Sequence, residues 1–502
     1  MDIIYTGLPE RHSPMGSVEL PIIIQGGMGV AVSGWQLARA VSLAGQLGVV
    51  SGTALDVVLA RRLQLGDPGG HMRRGLAEFP FGDMADRILD RFFIPGGKRP
   101  SAPFRPTGMP SISPTTRQVE LIVAANFVEA FLAGEGHDGL IGVNYLEKIQ
   151  VPTLPSLYGA LLAGVDYVLM GAGIPRGIPG ALDQLSCGEP AELPIFVVGQ
   201  APGEETFSRF NPESFGGGPP AALKRPKFLA IVASATLANM LARKASGRVD
   251  GFVVEGPTAG GHNAPPRGEH AFNDRGEPLY GDRDIVDLGQ MRALDLPFWL
   301  AGSYGTPQGV AAALDEGAAG VQVGTAFAFS EESGLGDDIK RRVLAMSRSG
   351  AVDVLTDPVA SPTGFPFKVL QLDGSLSDAS VYEQRERICD LGYLRQAYRR
   401  PDGAIGWRCP GEPVELYLRK DGQVADTVNR KCVCNALIAN VGMAQFRPGR
   451  GPEMPLVTCG NDVSQIARFA RSDEAESYSA RDVIAHLLSG IVSPRLARSI
   501  PC

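Results

Sequence analysis

Residues 300–327 read LAGSYGTPQGVAAALDEGAAGVQVGTAF, and this stretch decides the fold. One apolar segment ends at Ala301–Gly302, a helix-compatible run follows, and a second apolar segment, AGVQVG, completes the unit. Thr306 and Pro307 suit a helix start, because a threonine oxygen accepts a first-turn N–H and proline lacks the N–H that goes unbonded there. Gly317 suits the stop. Strand, helix, strand, with glycine at each strand exit, is the repeating unit of a parallel α/β fold.

The same signature recurs upstream. LPIIIQ (20–25), LGVVSG (47–52), LIGVNY (140–145), DYVLMG (166–171), FLAIVA (228–233), DGFVVE (250–255) and PFWLAG (297–302) precede AGVQVG (319–324). Several are apolar at nearly every position, as strands covered on both faces must be. Helical patterns fill 30–45, 54–65, 234–247 and 306–317. Eight strands with intervening helices predict an α/β chain folded as a (β/α)8 TIM barrel with insertions and a C-terminal cysteine-containing extension. A doubly wound three-layer sheet is the alternative. The barrel is expected over 1–370, with insertions at about 66–138 and 200–226, and the extension over 371–502. PIFVVG (194–199) is a surplus strand, and the Gly/Pro-rich run after it reads as a loop or lid over the barrel mouth.

Composition narrows the classes. Apolar residues are 44% and charged residues 20% of the 502, the balance of a globular chain with a sizeable core. A net charge of −7 argues against nucleic-acid binding. The Arg–Arg pairs at 61/62, 73/74, 341/342 and 399/400 read as solvated helix faces. No apolar run reaches membrane-spanning length without a charge, and the first residues lack a signal-peptide pattern, so a cytoplasmic protein without membrane contact is expected. Seven cysteines, an odd number, do not resemble a secreted disulfide framework.

In such a barrel the working groups sit just beyond the strands' C-terminal ends. QGGMG (25–29) follows the first strand, and its glycines allow close backbone approach to a flat ligand. Gly302 and Ser303 follow the seventh strand, Gly324 and Thr325 the eighth. Backbone N–H groups from those two loops converge on one anion in this architecture. GAGIPRG (171–177) has the wrong spacing for a dinucleotide loop, and Pro175 falls where its helix would begin. EGPTAGGHNAPPRGEH (255–270) raises a further question. Its turn explains Gly260 and Gly261 but does not explain His262, a titratable group delivered to the same rim. His270 follows a turn and reads as surface. His12, His71, His137 and His486 have no strand-end context.

QGGMG, VVEGPTAGGH, the 300–327 unit and SPTGFPFKVL (361–370) together resemble the nitronate monooxygenase (2-nitropropane dioxygenase) family, itself related to FMN-dependent enoyl reductases. The resemblance covers roughly 20–370 outside the two insertions. It implies a barrel binding FMN, with His262 acting on a small-molecule substrate as base or hydrogen-bond donor. It further implies that Gly26, Gly27, Met28, Asn144, Ser234, Glu255 and Gly261 line the flavin pocket and that Gly302, Ser303, Gly324 and Thr325 hold the phosphate. Thr258 stands where the family has an acidic residue, and Ser303 where it has glycine. The activity so implied is oxidation of nitroalkanes or nitronates with O2. Reduction of enoyl thioesters by NAD(P)H is the second reading, and a non-catalytic flavin/iron–sulfur electron carrier the third. A homodimer is expected of the class, though no particular residue argues for it.

Cys389, Cys409, Cys432 and Cys434 lie close in sequence in the extension. Four thiols so grouped are candidate ligands for zinc or an iron–sulfur cluster, with buried unliganded thiols as the alternative.

Overall fold

The computed structural model describes residues 20–268 and 271–491. Eight parallel strands form one sheet: β1 (Ile23–Gln25), β2 (Gly48–Ser51), β3 (Ile141–Leu146), β4 (Tyr167–Gly171), β5 (Lys227–Val232), β6 (Gly251–Glu255), β7 (Phe298–Ala301) and β8 (Gly320–Val323). Neighbours in sequence are neighbours in space from β2 to β8, and β8 pairs back onto β1. The ring closes at Ile24 and Leu47, where Gln25 N–H donates to the Leu47 carbonyl at 3.0 Å and Leu47 N–H to the Ile23 carbonyl at 3.1 Å. A doubly wound sheet needs an order that reverses at a switch point. This order does not reverse, and the (β/α)8 barrel stands.

Ile24, Val49, Leu169, Leu229, Val253 and Trp299 fill the barrel interior, so it is a packed core rather than a pore. Trp299 keeps its indole N–H satisfied by donating to the Pro21 carbonyl at 2.8 Å. Thr306 caps the helix Pro307–Asp315 by accepting from Gly309 N–H at 2.9 Å, as the 300–327 reading requires.

The insertion at 66–138 supplies the helix Thr116–Gly134, opened by a Thr115/Gln118 capping box. It is buried on almost every face, which is why its sequence is apolar nearly all round. Its Glu129 takes Arg62 at 2.5 Å, while Arg61 is buried and donates to the Met443 carbonyl at 2.6 Å. The Arg61/Arg62 pair is thus not a solvated face: long polar side chains reach partners from remote segments that no local pattern reveals. The run after Gln200 is more ordered than a loop. Phe207–Phe210 pairs antiparallel with Ala191–Pro194, and Asn211 caps the short helix Pro212–Gly216. The surplus strand, Val197–Val198, joins a small sheet with Gln396–Arg399 and Ile405–Arg408 from the extension.

The segment after 370 packs into the barrel's own core. Leu391, Tyr393, Ile438, Val457, Val463 and Tyr478 belong to the same apolar cluster as the barrel helices. Tyr478 donates to the Ala326 carbonyl at 2.7 Å, and Tyr393 hydrogen-bonds Asp56. Among the described residues no helix is long and apolar enough to cross a membrane.

Candidate active site

A cavity lies at the C-terminal ends of the strands and encloses about 1900 Å³ of empty space, its mouth included. Its floor carries polar side chains from the barrel strands: Asn144 from β3, Glu255 from β6 and Gln322 from β8. Gln322 Oε1 is buried with no hydrogen-bond partner among the described residues. A buried, unsatisfied acceptor is costly unless a ligand donates to it. Burial pushes the Glu255 carboxyl up to about 7, with no charged neighbour opposing the shift.

The β1 loop enters this cavity braced from behind. Gln25 Nε2 donates to Ser33 Oγ at 2.8 Å, and Ser33 Oγ accepts from Met28 N–H at 2.9 Å. Gly27 needs its missing side chain, since a Cβ there would lie 2.3 Å from Asn144 Cβ. Beyond β7, Gly302 has a φ of +99° and Ser303 one of +61°. The N–H groups of Gly302, Ser303, Gly324 and Thr325 have no acceptor among the described residues. Two loops thus present four undonated N–H groups at one end of the cavity, the pattern of an anion clamp. Thr325 Oγ1 is already taken, accepting from Gly460 N–H at 2.9 Å. Asp462 lines the same end, and burial raises its carboxyl above the ordinary aspartate value.

His262 is aimed by a segment far along the chain. Its backbone bridges Phe367, Lys368 N–H donates to the Gly261 carbonyl at 2.9 Å, and Asn263 N–H to the Pro366 carbonyl at 2.9 Å. The imidazole Nε2 lies 2.6 Å from Ser361 Oγ, and Ser361 Oγ lies 2.9 Å from Thr363 Oγ1. Burial, reinforced by the Lys148 ammonium, pulls the ring's pKa down to about 4. It is therefore neutral near pH 7, and whichever partner of the Ser361 contact carries the proton sets the tautomer. The glycine pair now has two separate reasons. A Cβ on Gly260 would lie 2.8 Å from the backbone of Cys459 and Gly460, whereas Gly261 has a φ of +81°.

Gly26, Gly27, Met28, Asn144, Glu255, Gly261, His262, Gly302, Ser303, Gly324 and Thr325 all line this one cavity. Ser234 does not; it caps the helix Ala235–Lys244 by accepting from Leu237 N–H at 3.1 Å. His71, His137 and His486 lie away from the cavity, and His12 and His270 fall outside the described residues. Gln322, Lys148, Ser361 and Asp462 are additions. Gln322 carried a readable signal, a lone amide inside the apolar strand AGVQVG. The others depend on tertiary approach. Leu391, Tyr393, Leu394, Cys434, Leu437 and Ile438 add an apolar wall from the extension.

The proposed metal ligands Cys389, Cys409, Cys432 and Cys434 do come together, yet among the described residues no group of three or more His, Cys, Asp or Glu side chains is posed to hold a metal ion. Cys432 accepts from Asn435 Nδ2 at 3.5 Å.

A (β/α)8 barrel whose cavity is lined by free backbone N–H groups beyond the last two strands and by a neutral histidine is the class that fold and cavity define. Residues 213–359 match the family profile of nitronate monooxygenase, so the resemblance to that family is borne out over this segment. A curated relative, the (3aS,4S,5R,7aS)-5-hydroxy-7a-methyl-1-oxo-octahydro-1H-indene-4-carboxyl-CoA dehydrogenase of Rhodococcus jostii (strain RHA1), is 30% identical over 145 residues, which is 28% of this chain and 35% of the relative. The match thus spans about a third of that relative's length. Among solved structures, FabK from Thermotoga maritima aligns at 18% identity with a TM-score of 0.44, covering 94% of this chain and 92% of its own. Nitroalkane oxidase from Streptomyces ansochromogenes gives 17% and 0.43, covering 95% and 97%. The enoyl reductase domain of MlnA from the macrolactin biosynthesis cluster of Bacillus amyloliquefaciens gives 11% and 0.45, covering 92% of each chain.

Proposed function

We propose that the chain is an FMN-dependent oxidoreductase acting on a bulky apolar substrate through a carbon–carbon double bond conjugated to a thioester, with NAD(P)H as reductant. The group fits the residues present: four undonated N–H groups suit its phosphate, and the orphaned Gln322 oxygen suits a ring N–H. Bound FMN would supply hydride transfer, and the protein supplies binding, orientation and proton handling. Gly26 and Gly27 would let the backbone approach its ring closely. His262, held through Nε2 by Ser361, keeps Nδ1 for the substrate and handles one proton there.

The observation that carries the choice of substrate is the wall of Leu391, Leu394, Leu437 and Ile438. An apolar surface of that extent is matched by an acyl chain and is unnecessary for a small nitroalkane. Oxidation of nitronates with O2 is the second reading, supported by the family match over 213–359. Steady-state assays of purified, flavin-loaded protein separate the two. A medium-chain 2-enoyl thioester is expected to drive NAD(P)H oxidation. Oxygen uptake with a nitronate in the absence of pyridine nucleotide, and no turnover of the enoyl thioester, would overturn the proposal.

A further inference from the structure

The ring of His262 is the near end of a chain of hydroxyls. Nε2 lies 2.6 Å from Ser361 Oγ, and that oxygen lies 2.9 Å from Thr363 Oγ1. Ser361 Oγ also accepts from Thr363 N–H at 3.3 Å, and Thr363 Oγ1 from Phe365 N–H at 3.3 Å. Ser361 is fully buried, and Arg430 Nη1 steadies its backbone by donating to the Ser361 carbonyl at 2.5 Å. Thr363 is half-buried and lines the cavity. The inventory of donors favours one direction along this chain. Among the described residues the Thr363 hydroxyl has no acceptor other than Ser361 Oγ. If it donates there, Ser361 donates its own hydrogen to Nε2, and no hydroxyl is left without a protein acceptor. A chain that starts instead from Nε2–H strands the Thr363 hydrogen. Nε2 is therefore the acceptor, and the neutral ring carries its hydrogen on Nδ1, the nitrogen left for the substrate. A neutral imidazole that gave up Nδ1–H alone would become an imidazolate, a far stronger base than the site could hold. Nε2 must gain a proton as Nδ1 loses one.

We propose that Ser361 and Thr363 form a proton relay that feeds His262 from water in the cavity, an inference that rests on the enoyl-thioester reading above. As the substrate's α-carbon takes its proton, the Nδ1–H bond breaks and a C–H bond forms. Ser361 passes its hydroxyl proton to Nε2, Thr363 passes its own to Ser361 Oγ, and Thr363 Oγ1 takes one from solvent. No electrons move along the chain, and one solvent proton is consumed. With the site empty, Nδ1 takes up a proton and the chain runs backward, returning one to water at Thr363, so the starting tautomer is restored. Both hydroxyl residues act through the imidazole and are positioning residues in this sense.

Two measurements test the relay. Long-range proton–nitrogen NMR of the full-length protein with isotope-labelled histidine reads the tautomer of His262, assigned by the signal lost in His262→Asn. A hydrogen on Nδ1 and a bare Nε2 are expected, and a hydrogen on Nε2 overturns the proposal. The second is steady-state reduction of a medium-chain 2-enoyl thioester by NAD(P)H in mixtures of light and heavy water. In the parent the rate should bow below a straight line as deuterium rises, because more than one proton is in flight. In Thr363→Val the plot should straighten and turnover should fall about fivefold, the worth of one hydrogen bond. Thr363→Ser should restore both. A valine variant with the parent's rate and curvature overturns the relay, and so does a slower variant whose curvature is unchanged, the mark of a structural role. If the parent reduces no enoyl thioester, the functional reading falls and the tautomer alone decides the relay. The tautomer of the parent also decides it if the valine variant fails to fold.

Discussion

A methyl group on Gly27 would sit 2.3 Å from Asn144 Cβ and 3.3 Å from Val49 Cγ1, and both neighbours belong to barrel strands that cannot shift freely. Gly27→Ala should therefore push the β1 loop into the cavity at a cost of about 1–3 kcal/mol. Flavin affinity, read by fluorescence quenching, is expected to fall by roughly 5- to 150-fold with little change in melting temperature. Two other residues set an acid–base balance. Burial lowers His262 from 6.5 to about 4, with the Lys148 charge as a smaller cause, and burial raises Glu255 from 4.5 to about 7. On acidification from 6.5 toward 4 the unfolded chain gains the histidine proton first, so the folded state loses stability. From 7 toward 4.5 the folded chain gains the Glu255 proton first, so the folded state gains stability. The two slopes oppose across pH 4.5–6.5. Glu255→Gln should expose the histidine slope, falling relative to the parent by at most about 1.4 kcal/mol per pH unit. Melts of flavin-free protein across that range check this, and parallel curves for the two proteins would count against it.

At the scale of elements, the site depends on a strand that approaches from outside the barrel. Phe367–Leu370 fixes the backbone on either side of His262, and the preceding turn brings Ser361 to its ring. Ser361→Ala removes one hydrogen bond worth about 1 kcal/mol and frees the ring to reorient. Turnover should drop about five- to tenfold while flavin affinity holds, a split a purely structural role would not produce. The barrel strands and the 300–327 unit were legible because both carry local signals, apolar runs and cap residues. The same holds for the helix Thr116–Gly134 within its insertion. The hydrogen bond between Ser361 and His262 was not legible, because 99 residues separate the partners and no local pattern encodes the encounter. Ser234 is the opposite case. A serine at a strand exit resembles a ligand group, yet the helix start behind it claims its oxygen.

For the molecule as a whole, the extension and the barrel share one apolar core, from Leu37 and Phe127 to Val463 and Tyr478. Unfolding one part uncovers the other, so a single cooperative thermal transition is expected, detected alike by far-UV dichroism and tyrosine fluorescence. Two resolved transitions would show that the shared core is energetically weak. A chain ended at residue 370 would leave the helix Leu55–Gln64 without the Tyr393 and Met443 partners of Asp56 and Arg61, and it should aggregate. In the sequence the extension looked like an appendage, because the repeating strand–helix pattern stops near 370 while the packing does not.

The seat of Cys459–Gly460 on Gly260 carries a temporal consequence. All eight barrel strands are synthesised by residue 323, yet the groups that press on the histidine loop and support Thr325 come off the ribosome more than a hundred residues later. During translation the nascent barrel is complete in outline while its chamber still lacks a side, so capture of the FMN proposed above would wait until the chain is nearly finished.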